Sequence, residues 1–431
     1  MSTLRLRAEG RIAELDAATK AALLERQPME EAGVRETVAG ILSDVRARGD
    51  AALLEMAERF DGAKLEALEI PKDLWTSALS ALDPAVRSAL ERAAGNIRRF
   101  HEAQRPADVT VEIERGVSVT RAWVPLRRVG VYVPGGTAAY PSSVLMGVVP
   151  ARSAGVDEVI VCSPPGPSGS PPDAVLAACA IAGADRVFAV GGAGAVAAMA
   201  WGTESVPQVD AIVGPGNRWV TEAKRQVAGS VVIDSPAGPS EVLVLADDTA
   251  DAGLVAREVL AQAEHDPDAA CVVVTTSARL ARAATEALAE LLESTPRAAI
   301  AMEALASAGA VLVADSLDEA VAFTEAFAAE HLSIMTKDAA TLARGLRNAG
   351  TTFVGGAASV AFGDYITGAN HVLPTAGRAR SFSGLSTQHF LRSFTIQEID
   401  AEGAASLAPD VVTLAEAEGL PAHADAARVR S

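Results

Sequence analysis

The sequence predicts an α/β fold built on parallel sheets, and three observations carry that expectation. From Val129 onward, short β-rich runs alternate with Ala-rich stretches of helical length, the pattern of strands joined by crossover helices. Glycine-bearing turns follow several of these runs, at Val133-Pro-Gly-Gly-Thr137, Gly191-Gly-Ala-Gly194 and Val213-Gly-Pro-Gly-Asn217. A chain of 431 residues is also long enough for two or three packed domains.

Taken in order, residues 1–27 mix Ala, Leu and charge and read as a helical arm without a domain of its own. From Glu36 to Phe60, Val38, Ile41, Leu42, Val45, Leu53, Leu54 and Ala57 recur at helical spacing, with Gly49-Asp50 as a break and a new cap. A second helical stretch spans about Asp73 to Arg99. Val109, Val111 and Ile113, then Val117 and Val119 beyond Gly116, alternate as the two strands of a hairpin. The strand candidates that follow are Val129–Val133, Val159–Cys162, Val187–Val190, Ala211–Val213, Val231–Ile233, Val242–Leu245, Val272–Thr275 and Val311–Val313. Ser163–Pro172 reads as a surface connection. After about Ala376 the regularity fades into an extended, partly helical tail.

Composition narrows the function classes. Aromatics are only 4% of the chain, so the core must come from Ala, Val, Leu and Ile. A formal charge of −18 argues against nucleic acid or an anionic membrane as partner, since both need a basic surface. No apolar run approaches the roughly 18 to 20 residues that cross a bilayer, and the first residues carry none, so a cytoplasmic protein is expected. Cys162, Cys179 and Cys271 lie in apolar or Ala-rich runs and read as buried thiols.

Two kinds of signal point to chemistry. Gly192-x-Gly194-x-x-Ala197 follows a strand and opens a helix, as a dinucleotide fingerprint does, and Asp210 stands eighteen residues beyond Gly192 as a candidate ribose-binding acid. Acid, amide and imidazole groups also cluster. Gln262 and His265 are three apart at the end of a helix that begins near Asp251. Glu330-His331 follows a helix over 317–329, Asp364 and His371 share one glycine-bearing stretch, and Glu418 and His423 lie near the C-terminus. Taken singly, each histidine reads first as a capping, hydrogen-bonded or solvent residue, and an amide is an unusual zinc ligand. His101 and His389 belong to no cluster. The residues alone support an α/β enzyme that binds a nucleotide or a metal, and no more.

Ten stretches, in order from residue 48 to residue 423, resemble the histidinol dehydrogenase family. They are Arg48-Gly-Asp50 with Phe60-Asp61, Val129-Gly-Val-Tyr-Val-Pro-Gly-Gly136, Gly202-Thr-Glu-Ser-Val-Pro207, Val213-Gly-Pro-Gly-Asn217 and Thr221-Glu-Ala-Lys-Arg-Gln226. The others are Pro236-Ala-Gly-Pro-Ser-Glu-Val242, Gln262-Ala-Glu-His265, Ala329-Glu-His-Leu332, Gly368-Ala-Asn-His-Val-Leu-Pro-Thr375 and Glu418-Gly-Leu-Pro-Ala-His423.

The resemblance implies two incomplete Rossmann-like parallel-sheet domains, one inserted in the other. The arm would be 1–27, a catalytic zinc domain 28–131 with 240–385, an NAD-binding insert 132–239, and a C-terminal dimerisation tail 386–431. It implies one zinc per subunit on Gln262, His265, Asp364 and His423. Ser240, Gln262, His265, His331, Asp364, Glu418 and His423 would line the L-histidinol site, with His371 close by. Tyr132 and Asn217 match cofactor-contacting positions. His331 would take the alcohol proton, and Glu330 would activate the water that adds to L-histidinaldehyde on the way to L-histidine. The active site would be shared between the chains of a homodimer, His423 crossing to the partner. One departure is Gly194, where the family commonly has a Gln that touches NAD. The alternatives are a related zinc alcohol dehydrogenase, such as one acting on sulfopropanediol, a zinc hydrolase using Glu330, or a catalytically silent nucleotide-binding protein.

Overall fold

The structure is a computed structural model that describes residues 4–26, 32–135, 139–235 and 238–430. The expected arm boundary at residues 27 and 28, Gly136-Thr137 and Pro236-Ala237 lie outside the described residues.

The arm is not purely helical. Its strand β1 (Ala8–Arg11) joins the edge of a sheet made much later in the chain. The hairpin is present: β2 (Val109–Glu114) pairs antiparallel with β3 (Val117–Pro125) across Gly116, whose φ of +76° favours glycine. Next come β4 (Arg128–Tyr132), β5 (Glu158–Ser163), β6 (Arg186–Ala189), β7 (Ala211–Val213) and β8 (Val232–Ile233). They form one parallel sheet in the order β6-β5-β4-β7-β8. A second run, β9 (Glu241–Ala246), β10 (Ala270–Thr275), β11 (Gly309–Val313), β12 (His331–Met335) and β13 (Thr351–Val354), forms with β1 the parallel sheet β1-β11-β10-β9-β12-β13. Finally β14 (Leu391–Ile399) returns antiparallel to β3.

The two parallel sheets share a plan. Apart from β1, added at the outer edge beside β11, each run of five (β4–β8 and β9–β13) has its first strand in the centre, the second and third building outward on one side, and the fourth and fifth on the other. That is the dinucleotide-fold order without its sixth strand, and it places a topological switch point between β4 and β7 and another between β9 and β12. Strand β12 escapes the sequence pattern because it is preceded by Glu330 and begins with His331, and β13 because only Phe353 of its four residues is buried.

The helices Ala32–Arg48, Asp50–Asp61, Lys72–Ala81 and Pro84–Glu102 pack on the five-stranded sheet. Val38, Leu42 and Leu53 share a core with Phe188 and Val196, and Trp75 and Ile97 share one with Val129 and Val131. Residues 32–102, expected with the other domain, therefore bury their apolar faces against the inserted sheet. Asp83 splits the stretch expected as one helix, its carboxylate accepting from the Ala85 and Val86 amides at 2.8 and 3.2 Å. The tail also departs from expectation. Beyond β14 it holds the helices Ala401–Ala417 and Pro421–Arg428, the first capped by Asp400 on Gly403 N. Phe394, Ile396, Val411 and Leu414 point outward, which blurs the periodicity that would have revealed these elements.

Candidate active site

At the carboxyl edge of the five-stranded sheet, the turns after β4 and β7 face each other across the switch point. Tyr132 ends β4 and is buried; its hydroxyl accepts from Gly192 N at 3.2 Å, the first amide of the helix Gly192–Trp201. Burial pushes its phenol up to about 12, so it stays neutral. Gly214 follows β7 with φ +117°, a conformation that favours glycine. Both of its backbone groups are held: its N–H donates to Asp234 Oδ2 at 2.8 Å and its carbonyl accepts from Lys224 Nζ at 3.0 Å, while Lys224 and Asp234 form a buried ion pair. Asn217 Oδ1 accepts from Trp219 N and Val220 N at 3.1 and 3.2 Å, capping the helix Arg218–Val227 and leaving the NH2 group as a donor.

Two parts of the fingerprint have other tasks. Asp210 precedes β7, so it lies at the amino edge, opposite the glycine turns. There its carboxylate accepts from the Arg127 and Arg128 amides at 3.0 and 2.9 Å, and it is no ribose ligand. Gly194 is buried inside its helix, and a Cβ there would meet Leu53 Cδ2 at 3.2 Å and Met56 Sδ at 3.3 Å. The missing side chain is space for helix packing. Among the unassigned motifs, Asp50 accepts from Thr203 Oγ1 at 2.5 Å and Asp50 N donates to Glu204 at 2.9 Å. The Arg48-Gly-Asp50 and Gly202–Pro207 motifs thus tie the helical layer to the sheet.

The six-stranded sheet gathers its acids and imidazoles at the amino edge. There Ser240 leads into β9, and Glu330 leads into His331 at the start of β12, which pairs with Val242. Glu241 links the pair. Its N–H donates to Glu330 Oε2 at 2.7 Å, and its carboxylate accepts from Glu330 N at 3.3 Å. His331 Nδ1 lies 3.0 Å from the Glu241 carbonyl. A carbonyl only accepts, so Nδ1 carries the hydrogen, and Nε2 is the nitrogen at which the ring gains or loses its second proton. That Nε2 is buried, has no hydrogen-bond partner among the described residues, and lies 3.5 Å from Asp364 Oδ1. Burial pushes Glu330 up to about 8 despite the nearby His331. Burial alone would lower His331, but Glu330 and Asp364 outweigh it and raise the ring to about 9.

Asp364 is on the short helix Val360–Tyr365, tied to the helix Ala252–Ala263 where Val360 N donates to Glu258 Oε2 at 2.9 Å. One turn beyond Glu258 is Gln262, buried; His265 follows the helix end and is exposed. His371 Nδ1 lies 3.0 Å from the Asp364 carbonyl. Burial would raise the Asp364 carboxyl, but His331, with His371 and His265, holds it below the usual range. Burial lowers His371. Glu330, His331, Asp364, His371 and His265 thus converge. Glu418 and His423 do not join them: both are exposed on the tail, where the helix Pro421–Arg428 packs on Ala401–Ala417. Among the described residues no three His, Cys, Asp or Glu groups gather closely enough to hold a metal.

The donors nevertheless suit zinc. An imidazole and a carboxylate are ordinary ligands, and the buried Nε2 of His331 beside Asp364 lacks a partner among the described residues.

The remaining candidates are structural. His101 is buried, with Nδ1 2.9 Å from the Ile97 carbonyl, and His389 closes a turn onto Ser386 N at 3.1 Å. All three cysteines are buried, and burial raises each thiol. Sequence reasoning missed Arg26, Lys224, Asp234 and Glu241 as parts of either edge. Lys224 and Glu241 stand inside quoted motifs, the only signal available.

A family model described as Histidinol dehydrogenase matches residues 24–431. The histidinol dehydrogenase of Methanosarcina mazei is 50% identical over 400 residues, 93% of this chain and 92% of its own. That of Halobacterium salinarum is 50% identical over 414 residues, 96% of each chain. The crystal structure of the Elizabethkingia anophelis histidinol dehydrogenase superposes with a TM-score of 0.94 at 33% identity, covering 100% of this chain and 99% of the other.

Proposed function

The chain belongs to the histidinol dehydrogenase family, and on that premise we propose that it oxidises L-histidinol through L-histidinaldehyde to L-histidine with two NAD, the last step of histidine biosynthesis, in the cytoplasm. The observation that carries this reading is the His331 ring, whose Nδ1 sits on the Glu241 carbonyl while its Nε2 remains buried and unpartnered beside Asp364.

In the first step His331 Nε2 takes the hydroxyl proton as hydride leaves C1 of the alcohol for the nicotinamide. In the second step Glu330 takes a proton from water as its oxygen adds to the aldehyde carbon. The resulting diol then gives up its carbon-bound hydrogen as hydride, for which the second NAD would be the acceptor, and a hydroxyl proton to a base, leaving the carboxylic acid. A carboxyl raised by burial is a stronger base than an exposed one, which suits that task. Gln262, His265, Asp364 and His423 would hold the zinc, the last from the partner subunit. When bound, a zinc ion would anchor the substrate's imidazole and amine and cancel Asp364's pull on a His331 proton. Ser240, His371 and Glu418 would complete the substrate pocket. NAD would lie on the insert, residues 132–239, against Tyr132 and Asn217, and residues 386–431 would form the dimer contact.

Nicotinamide reduction with histidinol, NAD and zinc tests the activity directly. The shared site has a sharper test. Asp364→Ala and His423→Ala should each be inactive as homodimers. Co-unfolded and refolded in equal amounts, about half the dimers should be mixed, each with one intact site, so activity should return to about a quarter of wild type. No recovery from a verified mixed dimer would reject a ligand from the partner.

A further inference from the structure

We propose that the buried Arg26–Glu241 pair is the positioning device for Glu330 and His331, which makes the segment before the first long helix part of the active site. The inference rests on the assignment of Glu330 and His331 as the proton-handling pair.

Glu241 touches that pair at three places. Its backbone N–H holds the Glu330 carboxylate, its own carboxylate holds the Glu330 N–H, and its carbonyl holds the Nδ1 hydrogen of His331. A shift of the backbone at Glu241 therefore moves the Glu330 carboxylate and loosens the tautomer of His331 together. The pairing with β10 holds this backbone on one side, and the Glu241 side chain braces it further. Glu241 Oε1 also accepts from Ala376 N at 2.8 Å, and both carboxylate oxygens accept from Arg26, Nε at 2.9 Å and Nη2 at 3.1 Å.

Arg26 is itself fully placed. Nη1 donates to the Leu23 carbonyl and Nη2 to the Phe327 carbonyl, each at 2.8 Å, and the guanidinium lies 3.4 Å from the centroid of the Phe327 ring. Its side chain is 9% exposed and that of Glu241 is 3% exposed. A planar fork matches both carboxylate oxygens while its remaining N–H groups reach two carbonyls; an ammonium cannot do all of this at once. The Phe327 carbonyl ends the helix Leu317–Phe327 that leads into Glu330, so Arg26 fixes the entry to the pair as well as Glu241.

The contacts of the pair run to the Glu330 and Ala376 amides and to the Leu23 and Phe327 carbonyls, so its role is one of positioning. Its loss should lower kcat for both half-reactions, because both bases lose their support, and should leave NAD binding on the other sheet intact. Stability alone would not give that split.

The test uses the full-length enzyme with zinc, histidinol and NAD, well below its melting temperature, with the folded fraction read by circular dichroism. Arg26→Lys and Glu241→Gln should lower kcat about 10-fold and Arg26→Met about 100-fold, with KM for NAD within about two-fold of wild type. Added guanidinium should restore part of the Arg26→Met loss. Wild-type kcat in Arg26→Lys and Glu241→Gln, or losses that merely track the unfolded fraction, would overturn the proposal. Should Arg26→Met fail to fold, the two conservative variants decide. Glu330→Gln and His331→Asn run alongside: wild-type rates in those would fail the assignment of the pair, whereas their loss with wild-type Arg26→Lys fails the clamp alone.

Discussion

The runs β4–β8 and β9–β13 have the same order within their sheets but gather their glycine turns and polar groups at opposite edges. At the switch point between β4 and β7 the glycine turns lie at the carboxyl edge, where the helices Gly192–Trp201 and Arg218–Val227 begin. Helix N-termini present free N–H groups and positive partial charge, which suits the phosphates of a dinucleotide. At the switch point between β9 and β12 the polar groups lie at the amino edge, where the helices Ala252–Ala263 and Leu317–Phe327 end. Helix C-termini carry negative partial charge and favour cations. The carboxyl edge of that sheet is closed instead by Asp247, which accepts from Thr249 N at 3.0 Å and Lys337 N at 2.8 Å. One topology can therefore serve an anion at one edge and a cation with its bases at the other, and strand order alone does not say which.

Each edge is also braced by one buried ion pair, Lys224–Asp234 on Gly214 and Arg26–Glu241 on Glu330. If the edges divide the work as proposed, damage at one should spare the other. The largest effect should come from the amino edge. Glu330→Gln should slow oxidation of histidinaldehyde by about 10² to 10⁴-fold and the first hydride transfer much less, while His331→Asn slows the alcohol step. Single-turnover nicotinamide reduction starting from histidinol and from histidinaldehyde separates the two, and equal losses for Glu330→Gln would remove its distinct role.

The counterpart at the carboxyl edge is Lys224→Met. It strands a buried carboxylate and should lose about 3 to 5 kcal/mol of stability, read as a lower denaturant midpoint at constant slope. KM for NAD should rise and the single-turnover rate at saturating NAD should hold. A fall in that rate with unchanged KM would mean the edges are not separable.

Asp210→Ala should cost about 1 to 2 kcal/mol, the loss of two backbone hydrogen bonds to a charged acceptor, and leave KM for NAD where it is. A tenfold rise in KM would return Asp210 to the nucleotide site. Gly194→Ala should do least. Better helix propensity and a slight crowding of Leu53 and Met56 oppose each other, so stability should change by less than about 1 kcal/mol. A large loss of NAD affinity from this one methyl would show that the helix face touches the cofactor.

The sequence by itself determined the class of fold, most of the strands, the burial of the cysteines and, through motifs such as Ala329-Glu-His-Leu332, the family. These are properties of periodicity and of short contiguous segments. Tertiary structure alone decided the rest. Asp210 has the right residue type at the right spacing, but it precedes β7, and only the fold shows its carboxylate taken up by the Arg127 and Arg128 amides at the amino edge. Gly194 completes a fingerprint in sequence, but its Cβ direction points at the helix Asp50–Asp61. Arg26 reaches Glu241 across 215 residues, and no local pattern marks a contact made only when the N-terminal segment settles against the sheet. His423 and Asp364 lie far apart in sequence, and the single chain leaves them apart. Spacing along a chain encodes faces of helices and strands; which faces meet, and at which edge of a sheet, is set by packing between segments that carry no local record of one another.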